Sequence, residues 1–283
     1  MTAPIDHEIA YAKINLALHV RRRRSDGYHD IESLFAFAQH GDRIAASVAE
    51  GVTLSITGPF SQGLASGDTN LVLRAAKALR TAFSVSQGAA IALDKNLPIA
   101  SGIGGGSADA AAALRLLCRL WEIDVTAPQV GRIAESLGAD VPACLASVTL
   151  RGDAKGDVIE TVDGRALSGT PLLLVNPNKP LSTATVFSGW DGIDRGALTL
   201  GGDLLATAQS GRNDLTQAAV AQVPEVAVII AQFDRCAGIT LARMSGSGAT
   251  CFGLFGSVEA RNAAQQRMQH VMPDAWILAS ELR

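Results

Sequence analysis

The sequence lacks the features that mark several protein classes. With 24 Lys and Arg against 27 Asp and Glu in 283 residues, it has no basic excess, which argues against a dedicated nucleic-acid binder. No apolar run reaches the roughly 18–20 residues that span a bilayer, and the first residues do not read as a basic-then-apolar signal peptide. Disorder is excluded because 48% of the residues are hydrophobic. We therefore expect a cytoplasmic protein with no nucleic-acid or membrane partner.

Cysteine and histidine are sparse and scattered. The four cysteines form no CxxC pair, and the five histidines form no HExxH motif. Neither a disulfide framework nor a histidine metal site is indicated. Glycine is abundant by contrast, because the chain has 28 glycines where an average of roughly 7% would give about 20. The placement of these glycines directs attention to three short motifs.

The order of predicted elements indicates an α+β protein with two domains. We place the domains at residues 1–155 and 156–283, because the segment 150–169 is rich in Gly and Asp and poor in apolar runs. Strands are predicted at 11–20, 31–39, 43–57, 89–93, 171–175, 240–244, 251–255 and 275–279. Helices are predicted at 70–82, with Asp68 or Thr69 as N-cap, and at 107–120, 127–137, 215–223, 224–235 and 260–272.

The strongest local signal is a glycine-rich loop, Pro98 to Ser107, that runs straight into a helix. Glycines adopt positive φ and let a ligand approach the backbone closely. The N-terminus of a helix adds unpaired N–H groups and the positive end of the dipole, which together bind anions such as phosphate. No Lys follows the last glycine, so the loop is not a Walker A motif. The alternative is a flexible connection with Ser107 as an ordinary N-cap.

Three further segments each allow a structural and a functional interpretation. Asp140, in Gly-Ala-Asp-Val-Pro, is either an N-cap or a carboxylate that accepts a hydroxyl proton. The Ser-Gly-Ser-Gly segment 245–248 is either a common β-hairpin turn or a nest of N–H groups around a phosphate. Lys13 and Asn15 lie about 7 Å apart on one face of a half-buried strand. That pair is either a solvated surface or part of a site.

Together these segments resemble the three motifs of the GHMP kinase superfamily. The resemblance rests on Ala-Lys-Ile-Asn-Leu at 12–16, Asp-Gly-Tyr-His at 26–29, the loop 98–107, Gly-Ala-Asp-Val-Pro at 138–142 and Ser-Gly-Ser-Gly at 245–248. It implies a two-domain fold with the active site in the cleft between an N-terminal β-rich α/β domain and a C-terminal α/β domain. The most similar branch phosphorylates the 2-hydroxyl of a cytidine-diphosphate-linked methylerythritol in the non-mevalonate route to isoprenoids.

The resemblance also implies ATP and Mg²⁺ as cofactors and suggests a role for individual residues. Asp140 is the expected base, Lys13 its cationic partner, and Ser107 the expected hydroxyl ligand of Mg²⁺. Asn15 is expected to contact the methylerythritol part of the substrate. The cytidine is expected to lie against Tyr28, His29 and Phe187. The ATP site is expected to be lined by Asn70, Leu71, Lys95, Pro98, Ala100, Ser101, Gly102, Gly104, Gly105, Gly106, Ser107, Ser245, Gly246, Ser247 and Gly248.

Two rival functions stay open on the sequence alone. Another small-alcohol kinase of the superfamily, such as a mevalonate or homoserine kinase, would not need the residues expected at the cytidine. A non-catalytic nucleotide-binding protein would need neither Lys13 nor Asp140. Ala100 and Ser101 stand where the family often has glycine, and we expect them to be tolerated with less backbone freedom. The basic run 21–24 is interpreted as a solvated hairpin edge, and the chain as a monomer or weak homodimer.

Overall fold

The structure, a computed structural model, describes residues 6–283 as a mixture of strands and helices. The strands are β1 (Asp6–Arg23), β2 (His29–Ala49), β3 (Val52–Thr57), β4 (Gly88–Asp94), β5 (Leu150–Asp153), β6 (Val158–Thr161), β7 (Pro171–Asn176), β8 (Ile239–Met244), β9 (Cys251–Phe255) and β10 (Trp276–Glu281). The helices are α1 (Leu71–Ala82), α2 (Gly105–Leu120), α3 (Pro128–Leu137), α4 (Val141–Ala146), α5 (Thr183–Ser188), α6 (Leu204–Ser210), α7 (Thr216–Val220), α8 (Glu225–Phe233) and α9 (Val258–Val271). No helix in the described part of the chain is long and apolar enough to cross a membrane.

The described residues divide into two compact units, each assembled from separate stretches of chain. Unit 1 comprises the described residues through 12, together with 40–99 and 104–147. Unit 2 comprises residues 13–39, 100–103 and 148–283. The long strands β1 and β2 each contribute residues to both units. The domain boundary between residues 155 and 156 stays a prediction.

Unit 1 combines a small sheet with four helices. Strand β4 pairs antiparallel with β2 and parallel with β3. Helix α1 contacts α2 and α3, and α2 also contacts α4. Alanines dominate the buried face of α2, where residues 110–113 are all Ala and fully buried. Small side chains let the helices approach closely. After β4 the chain passes through the glycine-rich loop and enters α2.

Unit 2 is built on a four-stranded antiparallel sheet in the order β10-β7-β9-β8. Helices α8 and α9 contact this sheet and bury an apolar face that includes Phe233 and Met268. Strand β5 pairs antiparallel with β2 at residues 33–35 and with β6. The sheet places the Ser-Gly-Ser-Gly segment at the connection between β8 and β9.

The observed bounds of several helices agree with the predicted bounds, and those of other elements do not. The helices predicted at 127–137, 224–235 and 260–272 are present within two residues as α3, α8 and α9. The break predicted after residue 39 is wrong, because β2 continues through Gly41 to Ala49. A Cβ on Gly41 would lie 1.9 Å from the Ala10 carbonyl oxygen, so this glycine permits a close strand contact and not a turn. The short elements β5, β6, α5 and α6 were not predicted, since four to seven residues carry too little periodicity.

Candidate active site

The part of the glycine-rich loop in unit 1 forms the N-terminus of α2. Gly104 is the N-cap at φ 65°, a left-handed conformation that glycine adopts without strain. The helix begins at Gly105, two residues before the predicted start, and no side chain caps it. The interpretation of Ser107 as an N-cap is therefore wrong. Because the first N–H groups of a helix have no partner within it, this end can donate to an anion.

Lys95 lies against this helix end with its ammonium between two buried carboxylates. Nζ is 2.5 Å from Asp42 Oδ2 and 2.6 Å from Asp109 Oδ2. Burial raises the pKa of Asp109, and the positive charge of Lys95 beside it opposes that rise. Burial disfavours the charge of Lys95, but Asp109 and Asp42 outweigh it and raise the lysine pKa. Lys95, which was expected to line the adenosine site, thus forms ion pairs with two aspartates. Its contact with adenosine stays a prediction.

Asn70 and Leu71 lie at the start of α1. Asn70 Oδ1 accepts the N–H of Val72 at 2.9 Å, so Asn70 is the N-cap, where Asp68 or Thr69 was expected. A Cβ on Gly106 would lie 3.8 Å from Leu71 Cδ1. The start of α1 therefore lies beside the first turn of α2 within unit 1. Contact of these residues with ATP stays a prediction.

Asp140 immediately precedes the short helix α4 in unit 1. It occupies the N-cap position with helical backbone angles, and its side chain makes no capping hydrogen bond. The expected N-cap position of Asp140 is therefore confirmed, but its carboxylate does not cap the helix. The far end of α4 is held by Arg115, whose guanidinium donates to the carbonyl oxygens of Cys144 at 2.7 Å and Leu145 at 3.3 Å. The role of Asp140 as a base stays a prediction.

Lys13 and Asn15 are buried in unit 2, with exposures of 3% and 1%. Lys13 Nζ donates to Asn15 Oδ1 at 3.3 Å and lies 4.6 Å from the centroid of the Phe35 ring. Asn15 Nδ2 donates to Ser33 Oγ at 2.8 Å. Residues 12–20 of β1 are buried without alternation, so the expectation of a half-buried strand with a solvated polar face is wrong. Buried polar side chains with specific partners fit a site better than a surface.

The turn between β8 and β9 brings predicted motifs of unit 2 together. Gly246 at φ 54° and Gly248 at φ 85° have the left-handed conformation that favours glycine. Ser245 Oγ donates to the Gly102 carbonyl oxygen at 2.9 Å and accepts the N–H of Asn15 at 3.2 Å. Residues from the strand motif, the glycine-rich loop and the third motif therefore share one hydrogen-bonded group.

The stretch 100–103 of the glycine-rich loop belongs to unit 2 and is tightly constrained. A Cβ on Gly102 would lie 2.4 Å from the Ser245 carbonyl oxygen, so only glycine fits there. The Ser101 carbonyl oxygen accepts the N–H of Thr250 at 3.1 Å. Ala100 has φ 49°, a left-handed conformation that costs a non-glycine residue roughly 1–2 kcal/mol. Alanine in place of glycine is tolerated here with backbone strain.

Asn213, which was not predicted as a site residue, holds the turn between β8 and β9. Its Nδ2 donates to the carbonyl oxygens of Met244 and Gly246, both at 2.8 Å. Its Oδ1 accepts the N–H of Leu215 at 2.9 Å. The only local signal in the sequence was its position before a helical pattern, which is typical of a capping residue. Its long-range contacts place it in the support of the third motif.

His29 belongs to a cluster of aromatic rings in unit 2. Its ring centroid lies 5.1 Å from that of Phe187 and 5.7 Å from that of Trp190. Burial, and secondarily the charge of Arg23, lowers the pKa of His29, so the imidazole is neutral near pH 7. His29 Nε2 and Trp190 Nε1 are buried without a hydrogen-bond partner among residues 6–283. Since unpaired buried polar atoms are costly, these two nitrogens indicate a place for a polar ligand.

Tyr28 lies at the tip of the hairpin that joins β1 to β2 and is 57% exposed. Its carbonyl oxygen accepts the N–H of Arg24 at 2.8 Å, which closes the predicted Asp-Gly turn. Lys155 Nζ lies 5.1 Å from the centroid of the Tyr28 ring. An exposed aromatic ring of this kind can stack on a base. Neither Lys155 nor Trp190 was predicted, because a single lysine or aromatic residue carries no local signal.

A metal site built from protein carboxylates is absent from the described residues. No group of three or more His, Cys, Asp or Glu side chains between 6 and 283 is arranged to hold a metal ion. Mg²⁺ in kinases keeps several waters and takes few protein ligands besides the substrate phosphates. Ser107 is half-buried in the first turn of α2. Its hydroxyl lies in the first turn of the helix, and its role as a protein ligand of Mg²⁺ stays a prediction.

Two family descriptions match the chain. Residues 70–147 match the GHMP kinases N terminal domain, and residues 191–274 match the GHMP kinases C terminal domain. The first match contains the start of α1, the N-terminus of α2 and Asp140. The second contains Asn213 and the turn between β8 and β9.

Similar proteins extend over nearly the whole chain. A 4-diphosphocytidyl-2-C-methyl-D-erythritol kinase of Rhizorhabdus wittichii is 54% identical, covering 98% of this chain and 94% of that protein. One of Sphingopyxis alaskensis is 47% identical and covers 98% of both. A crystal structure of a 4-(cytidine 5'-diphospho)-2C-methyl-D-erythritol kinase superposes with a TM-score of 0.81 at 30% identity, covering 98% of this chain and 99% of that one.

Proposed function

Because the chain belongs to the GHMP kinases, in the family of 4-diphosphocytidyl-2-C-methyl-D-erythritol kinases, we propose that it phosphorylates the 2-hydroxyl of 4-(cytidine 5'-diphospho)-2-C-methyl-D-erythritol. The γ-phosphoryl group comes from ATP, and the products are the 2-phosphate and ADP. The reaction is a step of the non-mevalonate pathway to isoprenoid precursors. The structural observation that supports this acceptor best is the buried Nε2 of His29 beside Phe187, which has no hydrogen-bond partner in the described part of the chain.

Cytosine complements the aromatic cluster around His29. On one edge the base carries an N4 amino donor and an N3 acceptor, so it can pair with Nε2 in either tautomer of the neutral imidazole. A planar base also stacks on aromatic rings, which contributes roughly 1–3 kcal/mol per base. We assign Phe187 and the exposed ring of Tyr28 to this stacking. Asn15 is assigned to the methylerythritol part.

The ATP phosphates are assigned to the N-terminus of α2 and to the turn between β8 and β9. The uncapped N–H groups from Gly105 onward and the positive end of the helix dipole favour an anion. The left-handed glycines of the turn can add further N–H donors. The hydroxyl of Ser107 is assigned to Mg²⁺, which when bound would neutralise charge on the phosphates.

Asp140 and Lys13 are assigned to the transfer itself. The acceptor hydroxyl oxygen forms a bond to the γ-phosphorus while the bond from that phosphorus to the β,γ-bridging oxygen breaks, and ADP leaves. The hydroxyl proton passes to the Asp140 carboxylate. The Lys13 ammonium, held by Asn15 Oδ1 and the Phe35 ring, stabilises negative charge on the acceptor oxygen.

The roles of the two charged residues are tested by transfer of radiolabelled phosphate from ATP to the cytidine-containing acceptor. Asp140→Ala and Lys13→Ala are each expected to abolish turnover while the circular dichroism spectrum stays that of the wild type. Lys179→Ala removes an exposed lysine of unit 2 and serves as the control with full activity. A folded Asp140→Ala or Lys13→Ala variant with turnover near the wild-type rate would contradict the assignment.

The rival functions give different results in the same assay. Competitive inhibition by CMP against the acceptor, but not against ATP, is expected for a site that binds cytidine. Transfer to mevalonate or homoserine without CMP inhibition would support another kinase of the superfamily. ATP binding without transfer to any alcohol would support a non-catalytic protein.

Location and assembly complete the proposal. All four cysteines are free thiols, which fits the reducing conditions of the cytoplasm. We assign the protein to that compartment as a monomer or weak homodimer. Light scattering after size exclusion, at several protein concentrations, measures the assembly state. A tight oligomer at the lowest concentration would contradict it.

A further inference from the structure

Three charged side chains of unit 1 are buried together, and the proposed transfer gives them no chemical step. The side chains of Asp42, Lys95 and Asp109 are exposed by 0%, 3% and 6%. Burial of charge is costly, and the attraction between buried ions often only offsets that cost. Stability alone is therefore a weak reason for this group, which we name the buried ion triad.

One side of the triad holds the chain that enters the glycine-rich loop. Asp42 Oδ1 accepts the N–H of Asn96 at 2.5 Å and that of Leu97 at 2.7 Å. These are the two residues directly before Pro98, which is itself buried. The other oxygen, Oδ2, accepts from Lys95 Nζ. A single carboxylate thus fixes both the backbone at the loop entry and the lysine.

The other side of the triad holds the helix that leaves the loop. Lys95 Nζ donates to Oδ2 of Asp109, which lies in the second turn of α2. A Cβ on Gly105 would come within 3.2 Å of the same Nζ. The ammonium therefore packs against the first residue of α2. Through Lys95 the loop entry and the loop exit are joined by consecutive charged hydrogen bonds.

One atom of the triad is unpaired. Asp109 Oδ1 is buried and has no hydrogen-bond partner among the described residues. Buried polar atoms without a partner are few in native structures, and each one calls for an explanation. The unpaired oxygen adds a cost that stability alone does not explain, whereas the contacts of the triad with both ends of the loop suggest a role there.

We propose that Asp42, Lys95 and Asp109 are positioning residues that fix the two ends of the glycine-rich loop so that the N–H groups of residues 105–107 meet the ATP phosphates, a role that rests on the proposed ATP site. None of the three touches the phosphates. Asp42 acts through the backbone of Asn96 and Leu97, and Asp109 acts through α2.

The test separates ATP binding from acceptor binding. Asp109→Asn keeps the shape of the side chain but removes the charge that attracts Lys95. We expect the KM for ATP and the calorimetric Kd for ADP to rise at least tenfold, with the KM for the acceptor within twofold of wild type. Asp42→Asn, a second variant at the loop entry, is expected to give the same split. Val130→Ala, in the buried face of α3, is the control that lowers thermal stability without changing the KM for ATP.

The outcomes distinguish this role from the proposed function. Absence of ADP binding in the wild-type protein would overturn the ATP site itself. Wild-type ADP binding with an unchanged Kd in a folded Asp109→Asn variant would overturn only the positioning role. If the KM for ATP and the KM for the acceptor rose equally, and Val130→Ala gave the same rise, the triad would contribute only to stability. That result would reject the positioning role. Failure of both Asn variants to fold would reject it as well.

Discussion

Replacing Asn213 with alanine tests how the turn between β8 and β9 is held. The amide is 8% exposed and makes three hydrogen bonds to the backbone. Each buried hydrogen bond contributes a net of about 1 kcal/mol, so the free energy of unfolding should fall by about 3 kcal/mol. That loss is large beside the roughly 5–15 kcal/mol that stabilise a typical protein.

Guanidinium denaturation followed by circular dichroism measures this loss against a matched control. Gln209 also donates from a side-chain amide to a backbone carbonyl, at 3.0 Å to Thr240, but it is exposed. Gln209→Ala should therefore cost less than about 0.5 kcal/mol. Because the turn carries Ser245, Asn213→Ala should also raise the KM for ATP, whereas Gln209→Ala should not.

The reasoning at Asn213 has a clear point of failure. A loss no larger than that of Gln209→Ala, with an unchanged denaturant slope, would show that the turn keeps its conformation without the amide. An unchanged KM for ATP in a variant that does lose stability would separate the support of the turn from nucleotide binding.

Three further predictions concern the glycine-rich loop, the cytidine assignment and the cysteines. Gly102→Ala places a Cβ 2.4 Å from the Ser245 carbonyl oxygen at φ 76°, so thermal denaturation should show a loss of more than about 2 kcal/mol; a smaller loss would show that the loop shifts freely. Phe187→Ala should raise the KM for the cytidine-containing acceptor roughly tenfold through lost stacking, and steady-state kinetics should leave the KM for ATP within twofold; equal changes in both would argue against the cytidine assignment. In the native protein at pH 8, Ellman's reagent should modify Cys236, which is partly exposed, as mass spectrometry can verify. The buried thiols should react only after unfolding: Cys118, Cys144 and Cys251.

The features that the sequence predicted well depend on neighbours along the chain. Helix α3 follows from apolar spacing, and the left-handed conformation at Gly104, Gly246 and Gly248 is a local demand that only glycine meets cheaply. These local signals, in their order, were enough to indicate the family. They also located the turn between β8 and β9.

The features that the sequence predicted poorly depend on partners far along the chain. Alternation around Lys13 suggested a solvated face. In the structure Lys13 Nζ lies over the ring of Phe35, and Asn15 donates a hydrogen bond to Ser33, both in β2. Lys95 gave no sign of its engagement by Asp42 and Asp109, which approach from β2 and α2. Pairing of this kind is set by tertiary structure, which periodicity and propensity do not encode.

The interleaving of the two units has a consequence for synthesis on the ribosome. Residues 13–39 belong to the same unit as 148–283, and Ser33 of β2 pairs with Gly152 of β5. At roughly 5–20 residues per second, β2 emerges on the order of ten seconds before β5 exists. During that interval the edge of β2 that pairs with β5 in the folded protein, which includes the apolar Phe35, has no partner strand. An open strand edge is a template for aggregation, so the nascent chain is most vulnerable before its second half is made.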